Sequence, residues 1–374
     1  MKKVIPIFKP IIAGNEKKYL QECADTEWFS ARGPFVKRFE DKLSNYIGMK
    51  YGISTSNCTV ALHLALKALD IGLGDEVICP SLTFISPIHM VTLSGAKPVL
   101  VDIEEETWNL DPRKIEQSIT KNTKAIIVVH AFGQSAKMDQ IMRIAKENNL
   151  YIIEDVAESL GATFEDKKLG SLGQISCFSF FANKMITSGE GGMALTNDYT
   201  LFEKLSSLRE YGSNKDEKYI YDHIGFNYRM TNMQAAVGMA QLERIDRIMK
   251  KRNKQLLFYE KLLSELDGVS IRPNGNNGES VHWLMTVLIK RNNIRDNIID
   301  LLLNKGIDVR KMIYPAYHSK PYESMGNEKT FPVAEKISLN SLHLPSSTNL
   351  TEKEIFYIVD SIRESLKEIK NMDR

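Results

Sequence analysis

Between residues 51 and 197 short apolar runs alternate with helical stretches, the pattern that builds a mostly parallel sheet covered by helices. Runs rich in β-branched and aromatic residues, bounded by polar or glycine-containing turns, predict strands over 76–79, 97–101, 125–129, 151–154, 175–180 and 192–196. Helices are predicted between them, one from Thr59 to about Leu69 and one from Met138 to Asn148, where Lys146 and the Asn148-Asn149 pair supply a stop. Beyond Met233 the pattern shifts to long charged helices, from Gln234 to about Leu266. A smaller mixed segment follows, with strands near 283–289 and 343–344. The expectation is an α/β fold of two domains, a large one over 1–240 and a smaller C-terminal α/β domain over 241–374. The stretch 272–278 (Arg-Pro-Asn-Gly-Asn-Asn-Gly) reads as a loop, because proline, glycine and asparagine disfavour regular structure there.

A chain of 374 residues has room for one large domain and a smaller one. With 43% hydrophobic residues, 26% charged residues and a formal net charge of +2, nothing in the composition favours a polyanion, and nucleic acid is not an expected partner. No apolar run approaches the ~18 residues that a membrane span requires. The start, Met1-Lys2-Lys3-Val4-Ile5-Pro6, meets proline before any long apolar run, so a cytoplasmic protein without a secretory signal is expected. The cysteines Cys23, Cys58, Cys79 and Cys177 form no CxxC pair, which argues against a zinc site and against a disulfide framework, and no metal is expected.

Three segments carry candidate chemistry. In Ile152-Ile153-Glu154-Asp155 an apolar strand ends in carboxylates, at the edge where open α/β sheets bind ligands. Asp155 there suits a protonated ring nitrogen such as the pyridinium of pyridoxal phosphate (PLP); taken alone it equally suits a helix cap. In the second segment Lys184 follows an apolar strand and precedes Gly189, Gly191 and Gly192. Set among Phe180, Phe181, Met185 and Ile186, its amine would be desolvated and able to form a Schiff base with an aldehyde; the alternative is a snorkelling surface lysine. In the third, Ser54-Thr55-Ser56-Asn57-Cys58-Thr59 opens directly into an apolar helix, an anion site or simply an N-cap. Ser56, Asn57, Cys58 and Thr59 are the candidate phosphate ligands. Neither GxGxxG nor GxxxxGK[ST] occurs, so a dinucleotide fold and an NTPase loop lack their signature. The order of helix start, aromatic Phe84, strand-end Asp155 and glycine-flanked Lys184 is what a PLP enzyme of the aspartate aminotransferase fold requires.

At these residues, and across most of the chain, the sequence resembles the DegT/DnrJ family of nucleotide-sugar aminotransferases. The resemblance rests on Ser30-Ala31-Arg32-Gly33-Pro34, on the helix start from Ser54 to Leu66, and on Val129-His130-Ala131-Phe132-Gly133. It continues through Ile153-Glu154-Asp155-Val156-Ala157-Glu158 and Gly225-Phe226-Asn227-Tyr228-Arg229-Met230-Thr231. Ser179-Phe180-Phe181-Ala182-Asn183-Lys184 is similar to a form seen in the perosamine synthase branch of that family. Cys58 stands where the family usually has glycine. The resemblance implies a mixed seven-stranded sheet sandwiched by helices, with Lys184 as the Schiff-base lysine and Asp155 as partner of the pyridine nitrogen. It further implies Phe84 stacked on the ring, Glu158 near the ring hydroxyl, and Ser179 on the phosphate. Asn227 would reach the phosphate of a neighbouring subunit, and hence a homodimer with shared active sites is implied.

The implied reaction moves an amino group from L-glutamate to the keto group of a nucleotide-linked 4-keto-6-deoxysugar, with GDP as the first choice of nucleotide and UDP or dTDP as alternatives. Arg229, Tyr317 and His318 are the candidate substrate residues, with Arg310 and Lys320 as further cations from regions that close the site in relatives. A sugar dehydratase on the same fold is disfavoured, since such relatives replace the lysine that stands here as Lys184. A PLP-binding regulator without turnover makes Asp155, Ser179 and Lys184 superfluous.

Overall fold

Alternation along the strands decides the architecture. In the central strand Thr123–Val129, Ala125, Ile127 and Val129 join one apolar cluster while Ile126 and Val128 join another, so both faces of the sheet are buried and both carry helices. The computed structural model describes residues 4–272, 275 and 278–372. Of the predicted loop 272–278, Pro273, Asn274, Asn276 and Asn277 lie outside the described residues.

The central sheet consists of β1 (Tyr51–Thr55), β2 (Glu76–Pro80), β3 (Lys97–Val101), β4 (Thr123–Val129) and β5 (Tyr151–Asp155), then, after a small hairpin of β6 (Thr163–Phe164) and β7 (Lys167–Lys168), β8 (Ile175–Ser179) and β9 (Gly192–Thr196). Its order is β1-β9-β8-β5-β4-β2-β3, and only β9 runs against the rest. A second, antiparallel sheet of β10 (Val269–Ile271), β11 (Met285–Ile289), β12 (Arg310–Lys311) and β13 (Ser341–Leu344) has the order β10-β11-β13-β12. Its apolar face packs on Tyr259, Leu302 and Ile358 from the helices Ile245–Leu263, Arg295–Asn304 and Glu352–Met372.

The predicted strands are all present, with ends shifted by a residue or a few: β8 stops at Ser179 and β11 begins at Met285, leaving Phe180 and Trp283 in loops. Five strands are absent from the sequence-based expectation, namely β6 and β7 of the hairpin, β10 and β12 of the second sheet and, in the central sheet, β1. Its Ser54 and Thr55 are buried although polar, because their hydrogen bonds are met inside. Glu40 Oε1 accepts from Ser54 N (2.9 Å), Ser54 Oγ (2.8 Å) and Arg209 Nη1 (2.8 Å), and Thr55 Oγ1 donates to Asn57 O. The helical stretch expected over 234–266 is two helices, Asn232–Leu242 and Ile245–Leu263. Their junction is gripped by the helix Glu16–Asp25 and its cap: Glu243 accepts from Asn15 Nδ2 (2.7 Å) and Tyr19 OH (2.6 Å), while Arg244 reaches Glu16 (3.5 Å).

Removing one member of a largely buried charge network strands the others. Glu40→Ala leaves the Arg209 guanidinium and the Ser54 donors without their acceptor, and it is expected to cost about 3 kcal/mol, read as a lowered urea midpoint at unchanged slope.

Candidate active site

The parallel strands end along one edge, and the register lines up the candidate residues there. Thr55 and Ser179 both face Gly192, and Asp155 lies between Val129 and Cys177. From Thr55 the chain turns into the helix Cys58–Ala68, capped by Asn57, whose Oδ1 accepts from Val60 N (3.0 Å). Asn57 thus spends its side-chain oxygen on the helix. Ser56 N donates to Tyr228 O, and Thr59 Oγ1 is bonded to Ser86 Oγ (2.9 Å). Among the described residues this leaves the amides of Cys58 and Thr59 as open donors at a positive helix end, the arrangement that binds phosphate. The turn fits only because residue 192 is glycine: a Cβ there would come 2.4 Å from Asn57 C and 2.5 Å from Cys58 N. Cys58 is buried, and its thiol is pushed far up by burial, with further upward contributions from Asp155 and Cys177. It therefore stays neutral and adds no negative charge beside the open amides.

Glu154 and Asp155 end β5 on opposite faces, as successive strand residues must. Glu154 is completely buried, yet it accepts from His130 Nε2 (3.1 Å), Gly170 N (2.8 Å), Leu172 N (2.7 Å) and Gly173 N (2.6 Å). Burial alone would raise its pKa, but these donors outweigh it and hold the carboxyl below its ordinary value. Ala136 N donates to His130 Nδ1, so the ring proton sits on Nε2, toward Glu154. Asp155 differs. It is 5% exposed, accepts only from Ala157 N (3.0 Å) among the bonds described, and burial lifts its pKa to about 6, with Glu158 adding to the rise and Lys184 opposing it.

Lys184 lies in the loop joining β8 to β9, drawn tight by Phe180 N to Gly191 O, Lys184 N to Phe181 O and Ser188 N to Phe180 O. Gly189 turns this loop with φ +83°, a left-handed conformation that favours glycine. The Lys184 side chain is 14% exposed, with Nζ 3.7 Å from Glu158 Oε1 and 3.7 Å from the centre of the Trp283 ring. Trp283 is fixed in turn by its Nε1 donating to Asn183 O (2.6 Å), and Glu158 Oε2 accepts from Phe132 N (2.8 Å). Phe180, Met185 and Ile186 are buried as expected, while Phe181 is exposed.

The remaining candidates divide. Phe84 stands 62% exposed before the helix Ser86–Leu93, and Ser179 Oγ accepts from Phe181 N. Asn227 is exposed and receives Arg229 Nε (2.9 Å), while Arg229 is also paired with Glu210 (3.1 Å) and lies over the Tyr211 ring. Tyr317 OH (2.6 Å) and His318 Nε2 (2.7 Å) both go to Glu335. Arg310 is paired with Asp308 at 3.4 Å, and Lys320 is exposed. Sequence reasoning missed Trp283, which a predicted strand had absorbed. His130 and Glu154 appeared only inside motifs, and nothing in the sequence signalled that they pair. No group of three or more histidine, cysteine or acidic side chains suited to a metal occurs among the described residues.

A buried carboxylate with no cation at ion-pair distance among the described residues, a half-buried amine, and an open helix terminus along the same sheet edge fit PLP. They define a PLP-dependent aminotransferase of fold type I. The structure superposes on Spr1654 of Streptococcus pneumoniae in its PMP-form, with TM-score 0.93, 26% identity and 99% of each chain covered. The PLP-form of that protein gives TM-score 0.92 and 26% identity over 98% of this chain and 99% of that one. The chain belongs to the DegT/DnrJ/EryC1/StrS aminotransferase family, whose model matches residues 10–363. Among curated relatives it is 43% identical to the GDP-perosamine synthase of Caulobacter vibrioides (97% of this chain, 98% of the relative). It is 40% identical to that of Escherichia coli O157:H7, with the same coverage.

Two outcomes follow from this geometry. With a folded pKa near 6 against the ordinary 3.8, Asp155 binds its proton more tightly in the folded cofactor-free protein. That contribution is complete below pH 3.8 and is lost as pH rises through 6. The stability of cofactor-free wild type relative to Asp155→Asn should therefore fall by on the order of 3 kcal/mol between pH 4 and pH 7, measured by urea denaturation. Gly192→Ala should cost about 1–3 kcal/mol by forced displacement of the Asn57 turn and weaken PLP binding, measured by titration of the cofactor-free protein.

Proposed function

We propose that this enzyme transfers the amino group of L-glutamate to the keto carbon of a nucleotide-linked 4-keto-6-deoxysugar, with GDP-4-keto-6-deoxymannose as substrate and GDP-perosamine as product. The observation that carries this reading is the near-complete coverage of curated GDP-perosamine synthases at 43% and 40% identity, joined to a site with the required amine and carboxylate.

Bound at this edge, PLP supplies an electron sink for the pair left when the amino donor loses its Cα proton. Lys184 Nζ would hold the cofactor, and as a free amine it would take the proton from the donor's Cα and later return one to the former keto carbon of the sugar. Asp155 keeps the ring nitrogen protonated; a buried carboxylate pushed up to about 6 gains most from a cation beside it. The amides of Cys58 and Thr59, with Ser56, Asn57 and Ser179, would hold the phosphate end. Phe84 would cover the ring, and Glu158 would stand near its hydroxyl. Because Asn227 is exposed, it is available to a second subunit, and we read the working form as a cytoplasmic homodimer. Arg229, Tyr317 and His318 are proposed on the substrate side, in a division of labour between a cofactor lobe over 1–240 and a smaller lobe over 241–374.

The test is the absorption spectrum of the PLP-loaded protein before and after L-glutamate, followed by GDP-, UDP- and dTDP-linked 4-keto sugars. The visible band of the lysine-bound cofactor should vanish with glutamate and return with the GDP sugar. Its return with only a UDP or dTDP sugar overturns the choice of nucleotide, and no response to any of them overturns the reaction. Lys184→Ala should lower turnover by about a thousandfold or more while circular dichroism remains that of the wild type.

A further inference from the structure

A buried charge reaches toward the site from the second sheet. Arg272 follows β10, and its N donates to Thr286 O (3.1 Å), which prolongs the pairing with β11. Arg272 is 2% exposed, donates through Nη2 to Phe132 O (3.5 Å) and Ser280 Oγ (3.3 Å), and has an Nη1 without a hydrogen-bond partner. Among the described residues no carboxylate stands at ion-pair distance from it. Burial draws its pKa down to about 9 and the charge of Glu158 resists that fall, so it stays charged at neutral pH. The imidazoles nearby do not share this charge. Burial, with Arg272 adding to it, pushes His282 down to about 3 and His343 down to about 4, and both are neutral. A guanidinium buried without an anion is costly, and merely stapling two loops needs only a neutral donor.

What faces Arg272 across a single residue is Glu158. Phe132 lies between them with φ +55° and ψ 22°, a left-handed conformation uncommon for a bulky side chain. In that conformation its N–H donates to Glu158 Oε2 (2.8 Å) while its carbonyl accepts from Arg272. The ring is buried against Trp108 and His343, with ring centres 6.4 and 5.4 Å away. Beyond it, Gly133 O accepts from Val281 N (2.9 Å) and Ser280 Oγ (2.8 Å), so the corner cannot relax without giving up those contacts. Glu158 in turn presents Oε1 to Lys184 Nζ at 3.7 Å, from a side chain only 12% exposed. Two opposite charges with so little water around them attract across one intervening residue, and each lowers the cost of burying the other.

We infer that Arg272 is a positioning residue of the active site: across the Phe132 corner it forms a bridged ion pair with Glu158, and this pair holds the carboxylate against the Lys184 amine. The inference rests on the proposed function for the places of Lys184 and Glu158 beside the cofactor. It gives a role to a residue that the sequence reading assigned only to a loop.

The experiment is a double-mutant cycle on the full chain with Arg272→Met and Glu158→Gln, the latter keeping an acceptor for Phe132 N, and with Arg272→Lys beside it. Two quantities are read: the dissociation constant for PLP, from the visible band that appears on its capture, and the urea midpoint of the cofactor-free protein. Each single substitution should weaken PLP binding by about tenfold, and the double variant should bind no worse than the weaker single, a coupling of about tenfold. The urea midpoints should be non-additive in the same sense. Arg272→Lys keeps the charge and loses the fork, so its PLP binding should stay within about threefold of wild type while its urea midpoint falls. Wild-type PLP binding by Arg272→Met, or single effects that simply multiply in the double variant, overturns the inference. So does coupling confined to the urea midpoint, which makes Arg272 a structural partner only. An Arg272→Lys variant that binds PLP as poorly as Glu158→Gln also overturns it, and that comparison decides the matter if Arg272→Met does not fold. If Glu158→Gln binds PLP as wild type does, the place of Glu158 beside the cofactor falls and the inference with it. A cycle that couples as expected in a protein that turns over no keto sugar leaves the inference standing and removes only the proposed reaction.

Discussion

A carboxylate buried at the end of a central strand is the constraint around which this site is organised. Asp155 cannot move away from the sheet, because β5 is paired on both sides, and its 5% exposure gives it little water. Its neighbour Glu154 shows what a self-sufficient buried carboxylate looks like in the same strand, with one imidazole and three backbone amides supplying its donors. Asp155, on the other face, has one backbone amide and is raised where Glu154 is lowered. Alternation along one strand thus separates a structural acid from one that gains from a cationic ligand.

The rest of the edge is arranged to deliver such a ligand. The helix Cys58–Ala68 meets the sheet only because β9 begins with a glycine that lets Asn57 pass, and this contact sets the open amides of that helix beside the edge residues. The loop between β8 and β9 returns Lys184 to the same edge, where Trp283 and Glu158 hold its amine from two directions. Trp283 comes from the second sheet's side of the molecule, so the lysine's position depends on how the two sheets pack. Through the Trp283 carbonyl the same packing reaches Arg252.

Charge pairing also sorts residues that composition treats alike. With 49 lysines and arginines against 47 acids, the sequence offers many cations as anion ligands. The fold ties Arg229, Arg310 and His318 to carboxylates and leaves the buried Arg272 without one at ion-pair distance among the described residues. A cation already neutralised has less to gain from a further anion than one held without a partner.

The sequence by itself determined the α/β class, the strands from Glu76 to Thr196, and the candidates Asp155 and Lys184, because strand periodicity and glycine-flanked turns are local and survive in one dimension. It missed β1, whose polar Ser54 and Thr55 look like loop residues until Glu40 and Arg209 arrive from elsewhere in the chain. It merged two helices at Glu243-Arg244, since what breaks them is a clamp more than two hundred residues away. Only the tertiary structure decided which of two adjacent carboxylates is satisfied, which aromatic ring meets Lys184, and which cations remain unpaired. Each of those is fixed by contacts between segments remote in the chain, and a carboxylate's or a lysine's behaviour depends on its neighbours in space and its access to water, neither of which is written in its own position.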